Sequence, residues 1–166
     1  EQMKELDKHE ITYFVIPGIT AAFAAAAAMN IEYTLPEITQ TLILTRISGR
    51  TKVPETESLE SLAKHQASLA IYLSIMHVGK VQDILVKAYG EEANCAIAFR
   101  VSQPEQKIFY GKATEIEEIV KKEKIDHQAL IIISKSLDVK DTGVGLKYKS
   151  KLYAEDFKHA YRDSNG

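Results

Sequence analysis

Residues 69–110 read LAIYLSIMHVGKVQDILVKAYGEEANCAIAFRVSQPEQKIFY. Leu69–Leu73 is a short apolar run and predicts a buried strand. His77–Tyr89 then places Val78, Val81, Ile84 and Leu85 at three- and four-residue spacings, which predicts a helix with one buried face. Cys95–Val101 and Lys107–Tyr110 return to strand-like composition, and Ser102–Gln106 turns the chain between them. A strand, a crossing helix and a hairpin in succession predict an α/β fold. Its sheet mixes parallel and antiparallel neighbours, with helices on both faces in a three-layer αβα arrangement.

The flanks carry the same alternation. Upstream, Glu1–His9 has helical spacing, Tyr13–Ile16 is an apolar run read as a strand, and Pro17-Gly18 breaks it. Thr20 is placed to cap an alanine-rich helix reaching Asn30. Thr39–Thr45 reads as a strand, Arg46–Pro54 as a polar loop and Ser58–Lys64 as a short helix. Downstream, Thr114-Glu115-Ile116-Glu117 has the form of a capping box opening a helix to about Lys124, and Leu130–Ser134 is a final buried strand. From Lys135 onward the sequence is polar, without a clear period.

Hydrophobic residues make up 45% of the 166, enough for a core, and the net charge of -2 does not mark a nucleic-acid binder. No apolar run approaches the roughly 20 residues of a membrane-spanning helix. The single cysteine, Cys95, cannot form a disulfide within the chain and permits a reducing compartment. A cytoplasmic protein without membrane or nucleic-acid partners is expected. The chain opens at Glu1 in what reads as the middle of a helix, which suggests a piece of a longer protein.

Few residues suggest chemistry by themselves. There is no glycine-rich phosphate loop, and His9, His65, His77, His127 and His159 share no metal-ligand spacing, so no metal site is expected. Cys95 lies in an apolar run without a basic neighbour and reads as an inert thiol. Two segments stand out. In Val15-Ile16-Pro17-Gly18-Ile19-Thr20-Ala21-Ala22, small residues open a helix after a turn. That suits a ligand approaching backbone N–H groups, and equally an ordinary connection. Arg46-Ile47-Ser48-Gly49-Arg50-Thr51 is a basic loop directly after a strand. It suits carboxylate or phosphate recognition, and equally a solvated loop.

Read together and in order, these segments resemble the tetrapyrrole methylases. Pro17-Gly18-Ile19-Thr20-Ala21 is similar to that family's PG(I/V)(T/S)(A/S) turn. Tyr33–Gln40 (YTLPEITQ) and Thr45–Thr51 with Val53-Pro54 resemble the branch that methylates carbon 11 of precorrin-4, whereas siroheme-type relatives carry a TGH-like sequence after that strand. Leu59–Ala63, His65–Ser68, Arg100 to Lys107, Ala129–Ile132, Ser150–Tyr153 and Phe157–His159 extend the resemblance over nearly the whole chain. Departures are Thr20-Ala21 in place of Ser-Ser, Gln128 in place of Thr, and Ser134-Lys135 in place of Val-Gly.

The resemblance implies two α/β domains, with S-adenosylmethionine bound in the cleft between them and S-adenosylhomocysteine as product. It implies that residues 1–16 form a helix and strand at the junction with a missing amino-terminal domain. Residues 17–137 would be the carboxy-terminal domain and 138–166 a tail. Thr20, Ala21, Tyr72, Leu73, Arg100, Val101, Ala129 and Leu130 are expected to contact the cofactor, many through backbone. Arg46 and Arg50 are expected to hold the carboxylates of the tetrapyrrole, precorrin-4 or cobalt-precorrin-4. No catalytic residue is singled out, and a homodimer is expected. A sister methylase acting on siroheme precursors or another ring position, and a non-catalytic binding or dimerisation module, stand as alternatives.

Overall fold

A computed structural model describes residues 1–139. Five strands form one mixed sheet: β1 (Leu42–Arg46), β2 (Ser68–Tyr72), β3 (Asn94–Phe99), β4 (Lys107–Lys112) and β5 (Ala129–Ile133). Their order across the sheet is β1-β2-β5-β3-β4, with β1 and β2 parallel and every other neighbouring pair antiparallel. The last of the described strands, β5, therefore fills the middle of the sheet, between β2 and β3.

Side chains alternate across that sheet as the two-residue period requires. Leu69, Ile71, Cys95, Ile97, Ile131 and Ile133 point to one face. There they pack against α3 (Leu59–Ala63), α4 (Val78–Tyr89) and α5 (Ile116–Lys122) through Leu59, Val81, Leu85, Ile116 and Val120. Ala70, Ala96, Ala98, Leu130 and Ile132 point to the other face, where α2 (Ala21–Met29) lays Ala22, Ala25, Ala26 and Met29 against them. Helices thus cover both faces, as expected. The second face uses small residues on both sides of the contact, and Tyr33 completes its core.

Most elements fall where the sequence places them, with three differences. Tyr13–Ile16 forms no strand. Phe14, Val15 and Ile16 are 85%, 75% and 76% exposed and pair with no strand of the described residues. An apolar run has the same pattern whether it enters a sheet or lies on a surface awaiting cover, so periodicity does not separate the two. The helix expected from Thr114 is instead preceded by a 3-10 turn, Ala113–Glu115, and α5 begins at Ile116. The Glu115 carboxylate accepts from the Lys112 backbone N–H at 2.7 Å, so the cap sits two residues earlier than predicted. Finally, Thr39, Gln40 and Thr41 stay outside β1, which runs one residue further, to Arg46. The helix read over Glu1–His9 is α1, Gln2–Lys8.

At one end of the sheet a chain of hydroxyls is buried and satisfied. Ser68 Oγ donates to the Tyr33 carbonyl (2.7 Å) and lies 2.7 Å from Ser134 Oγ, which in turn meets Ser136 Oγ at 2.5 Å. Ser134, a departure from the family pattern, thus has a structural role in this chain. The Ser150–Tyr153 and Phe157–His159 segments and most of the expected tail lie outside the described residues.

Candidate functional site

The opposite end of the sheet gathers Arg46, Tyr72 and Phe99, where β1, β2 and β3 finish, with Lys107 and Ala129, where β4 and β5 begin. In α/β sheets the crevice outside the carboxyl ends of parallel strands is the usual ligand position. Here it holds a cavity of about 580 Å³ lined by Ala21, Arg50, Tyr72, Leu73, Ile75, Met76, Ala98, Arg100, Val101, Gln103, Asp126, His127, Gln128, Ala129 and Leu130. Seven of the eight residues expected to contact a cofactor line it, as does Arg50. A volume of this order suits a small organic ligand, and the wall is mainly apolar with a few polar groups.

Thr20, the eighth, is not among the residues that line the cavity. Its hydroxyl accepts from Ala22 N–H at 3.3 Å, capping α2, and it pairs with the Tyr72 hydroxyl. The Tyr72 hydroxyl also accepts from Ala22 N–H at 2.8 Å. The end of β2 therefore anchors the start of α2. Tyr33 locks the same turn from the core side, its hydroxyl donating to the Ala22 carbonyl at 2.8 Å. Burial, reinforced by the nearby Tyr72, pushes the Tyr33 phenol well above its usual range, so it remains a neutral donor.

Three wall residues adopt left-handed backbone without being glycine: Leu73 (φ 50°), Arg100 (φ 47°) and Gln128 (φ 48°). Such conformations cost free energy and concentrate where a site dictates backbone direction. Arg100 is pinned there by its backbone N–H, which donates to the Gln128 carbonyl at 2.9 Å. Leu73 is 85% exposed and Met76 73%, so the cavity presents apolar groups to solvent.

The two arginines of the basic loop separate. Arg46 Nη1 donates to the carbonyls of Ile47 (3.3 Å) and Thr51 (2.9 Å), and Nη2 donates to that of Lys52 (3.2 Å). Its guanidinium closes the loop on itself and also lines a neighbouring cavity of about 380 Å³, which shares Tyr72 with the first. Arg50 faces the larger cavity. Ser74 joins the two strand ends, accepting from Ile47 N–H (2.9 Å) and donating to the Tyr72 carbonyl (2.6 Å).

Sequence reasoning did not find Met76, Gln103, Asp126 or His127 at this site. His127 read as a surface histidine because nothing in its spacing connects it with Arg100, 27 residues away. Among the described residues no cluster of three metal-ligating side chains occurs, and His159 lies outside them. Cys95 is buried beneath α4 and Tyr89, and burial pushes its thiol up to about 12. No helix of the described residues is long and apolar enough to cross a membrane.

Known proteins resemble this chain in sequence and in fold. The family model of the Tetrapyrrole (Corrin/Porphyrin) Methylases matches residues 1–117. A cobalt-precorrin-4 C(11)-methyltransferase of Methanocaldococcus jannaschii is 42% identical over 99% of the chain and 62% of its own length. A precorrin-4 C(11)-methyltransferase of Pseudomonas aeruginosa is 39% identical over 98% of the chain and 63% of its own length. The chain thus spans a little over three fifths of these relatives. The solved structure of a cobalt precorrin-4 methyltransferase superposes with a TM-score of 0.76 at 36% identity, covering 82% of this chain and 57% of that one. A uroporphyrin-III C-methyl transferase of Thermus thermophilus, complexed with S-adenyl homocysteine, shares the fold (TM-score 0.62) at 16% identity, over 83% of this chain and 59% of that one. The chain belongs to the tetrapyrrole (corrin/porphyrin) methylases.

Proposed function

We propose that this chain is the carboxy-terminal part of an enzyme that transfers a methyl group from S-adenosylmethionine to carbon 11 of precorrin-4 or cobalt-precorrin-4, in the cytoplasm. The observation that carries this reading is the convergence of seven residues, expected from family resemblance alone, on one cavity at the sheet's ligand-binding end. Identity of 36–42% to relatives named for that reaction supports the ring position.

The residues present fit the cofactor. The wall offers flat and apolar groups in Tyr72, Leu73, Met76 and Val101, while Arg100 Nε is a buried donor without a partner among the described residues. A buried N–H left unpaired costs about 1–3 kcal/mol, which an acceptor on a bound ligand would recover. Thr20 and Tyr72 hold the start of α2 beside the same space.

S-adenosylmethionine, when bound, supplies a methyl group already activated on a sulfonium. The protein's task is then positioning and exclusion of water rather than acid–base chemistry. Arg50 at the cavity fits a carboxylate of the tetrapyrrole. Arg46 acts on the same substrate by fixing the loop that carries Arg50, with its remaining N–H groups free to reach a second carboxylate.

The exposed apolar segment Phe14, Val15, Ile16 and Ile19, together with Phe23 on α2, is a surface that water disfavours. In this reading it packs against an amino-terminal domain of the same protein, which supplies the other wall of the cleft, and the intact enzyme is a homodimer. The test is incubation of the full-length protein with precorrin-4 or cobalt-precorrin-4 and S-adenosylmethionine carrying a ¹³C-labelled methyl group. Label at carbon 11 supports the proposal. Label at another ring position points to a sister methylase, and absence of transfer to any tetrapyrrole points to a binding module.

A further inference from the structure

A cluster of charged and aromatic side chains stands at the rim of the cavity. The Arg100 guanidinium is surrounded on several sides. Its Cζ lies 5.2 Å from the centre of the Phe99 ring, and Nη1 stands 4.0 Å from Glu105 Oε2. Nη2 lies 3.1 Å from Nε2 of His127. The other ring nitrogen of His127, Nδ1, is in direct hydrogen-bond contact with the Asp126 carboxylate. The same imidazole packs edge-on against Phe99, with ring centres 6.4 Å apart at 81°.

Donor and acceptor chemistry fixes the protonation pattern of this chain. A guanidinium has only donors, so the Arg100–His127 contact is a hydrogen bond when Nε2 of His127 accepts, with no proton on that nitrogen. The ring proton then resides on Nδ1 and is donated to Asp126. That hydrogen bond is the main reason the Asp126 carboxyl is held below its usual range. A carboxylate fixing a histidine tautomer, so that the far nitrogen can engage a third group, is a familiar positioning device.

We propose that His127, oriented by Asp126, is a positioning residue that holds the Arg100 guanidinium so that its Nε–H is presented to an acceptor atom of the bound cofactor. Three features support this. Among the described residues Arg100 Nε is buried and without a partner, whereas the terminal nitrogens have partners. The backbone of Arg100 is pinned in a left-handed conformation by Gln128. Asp126, His127, Arg100 and Gln128 all line the same cavity. The proposal rests on reading that cavity as the cofactor site, but the Asp126–His127–Arg100 relay is measurable without any ligand.

The first experiment is ¹H–¹⁵N correlation spectroscopy of the histidine rings of the whole chain near neutral pH, with His127 assigned by the signals lost in H127Q. The Nδ1–H tautomer is expected for His127, giving way to the Nε2–H form or a mixture in R100A. An Nε2–H tautomer in the unmodified chain overturns the relay. The second experiment is calorimetric titration of S-adenosylhomocysteine into the full-length protein. H127A should bind about fivefold more weakly, the equivalent of one hydrogen bond. H127Q retains an acceptor near the Nε2 position and should stay within about twofold of the unmodified protein. Unchanged affinity in H127A overturns the positioning role. Failure of the unmodified protein to bind S-adenosylhomocysteine overturns the cofactor reading, and the tautomer then decides the relay alone.

Discussion

Replacing Tyr72 with Phe removes one hydroxyl and leaves the ring that lines both cavities. That hydroxyl accepts from Ala22 N–H at 2.8 Å and pairs with Thr20 Oγ1. Without it, Ala22 N–H retains only the longer 3.3 Å contact to Thr20, and α2 loses its direct tie to the end of β2. A hydrogen bond of this kind contributes about 1 kcal/mol net, and two partly buried ones should together cost about 1.5–2 kcal/mol. For a chain of this length each kcal/mol moves the melting temperature by about 2–4 °C, so Y72F should melt about 3–8 °C lower. Thermal unfolding followed by far-ultraviolet circular dichroism measures this, with Tyr13→Phe as a surface control expected to shift by less than about 1 °C. Because Thr20 and Tyr72 share the contact, the double variant T20A/Y72F should be less destabilised than the sum of the single variants, by about 0.5 kcal/mol or more. A melting temperature for Y72F within 1 °C of the unmodified chain, or strict additivity with T20A, would refute the anchoring of α2 through this hydroxyl.

Other expectations follow from the same contacts. L73G should raise the melting temperature, because an 85% exposed leucine in left-handed backbone contributes strain and little packing, yet it should weaken binding of S-adenosylhomocysteine; loss of stability instead would count against the strain. R50A should raise the KM for the tetrapyrrole more than the Kd for S-adenosylhomocysteine. R46K, which cannot span the Thr51 and Lys52 carbonyls with a planar fork, should do the same less severely, as steady-state kinetics would register. Burial raises the Cys95 thiol to about 12 and the Tyr33 and Tyr89 phenols further. Their folded values lie above their unfolded ones, so the stability they contribute is fully present below about pH 9 and is lost as pH rises toward 12. Denaturant titrations between pH 8 and pH 11 should show falling stability, less steeply in C95A, and Cys95 in the folded chain should resist alkylation at pH 8.

Much of the fold was legible because local pattern and tertiary environment agree. The apolar runs of β2 and β5 are buried on both faces, and the spacing of Val78, Val81, Ile84 and Leu85 matches the side of α4 that meets the sheet. The position of β5 between β2 and β3 was not legible, because pairing order depends on contacts between residues tens of positions apart. Tyr13–Ile16 misled because strand-like composition and an uncovered apolar surface look alike. Arg50 and the strand-end residues, expected from motifs, line the cavity. The division of labour between Arg46 and Arg50 was not expected from them, since it depends on which carbonyls the loop turns inward. Nor does sequence announce left-handed backbone at Leu73, Arg100 and Gln128, none of which is the glycine that such φ values favour. At Arg100 the conformation is held by the hydrogen bond from its N–H to the Gln128 carbonyl.

The most direct test of the central claim, that the cavity at the end of the sheet is one half of an S-adenosylmethionine site, is calorimetric titration of S-adenosylhomocysteine into this chain and into the full-length protein. The account predicts one site per subunit in the full-length protein, weakened by L73G and H127A, and weaker or undetectable binding to the chain alone. Absence of binding to both, or binding unaffected by changes at Leu73 and His127, would contradict it.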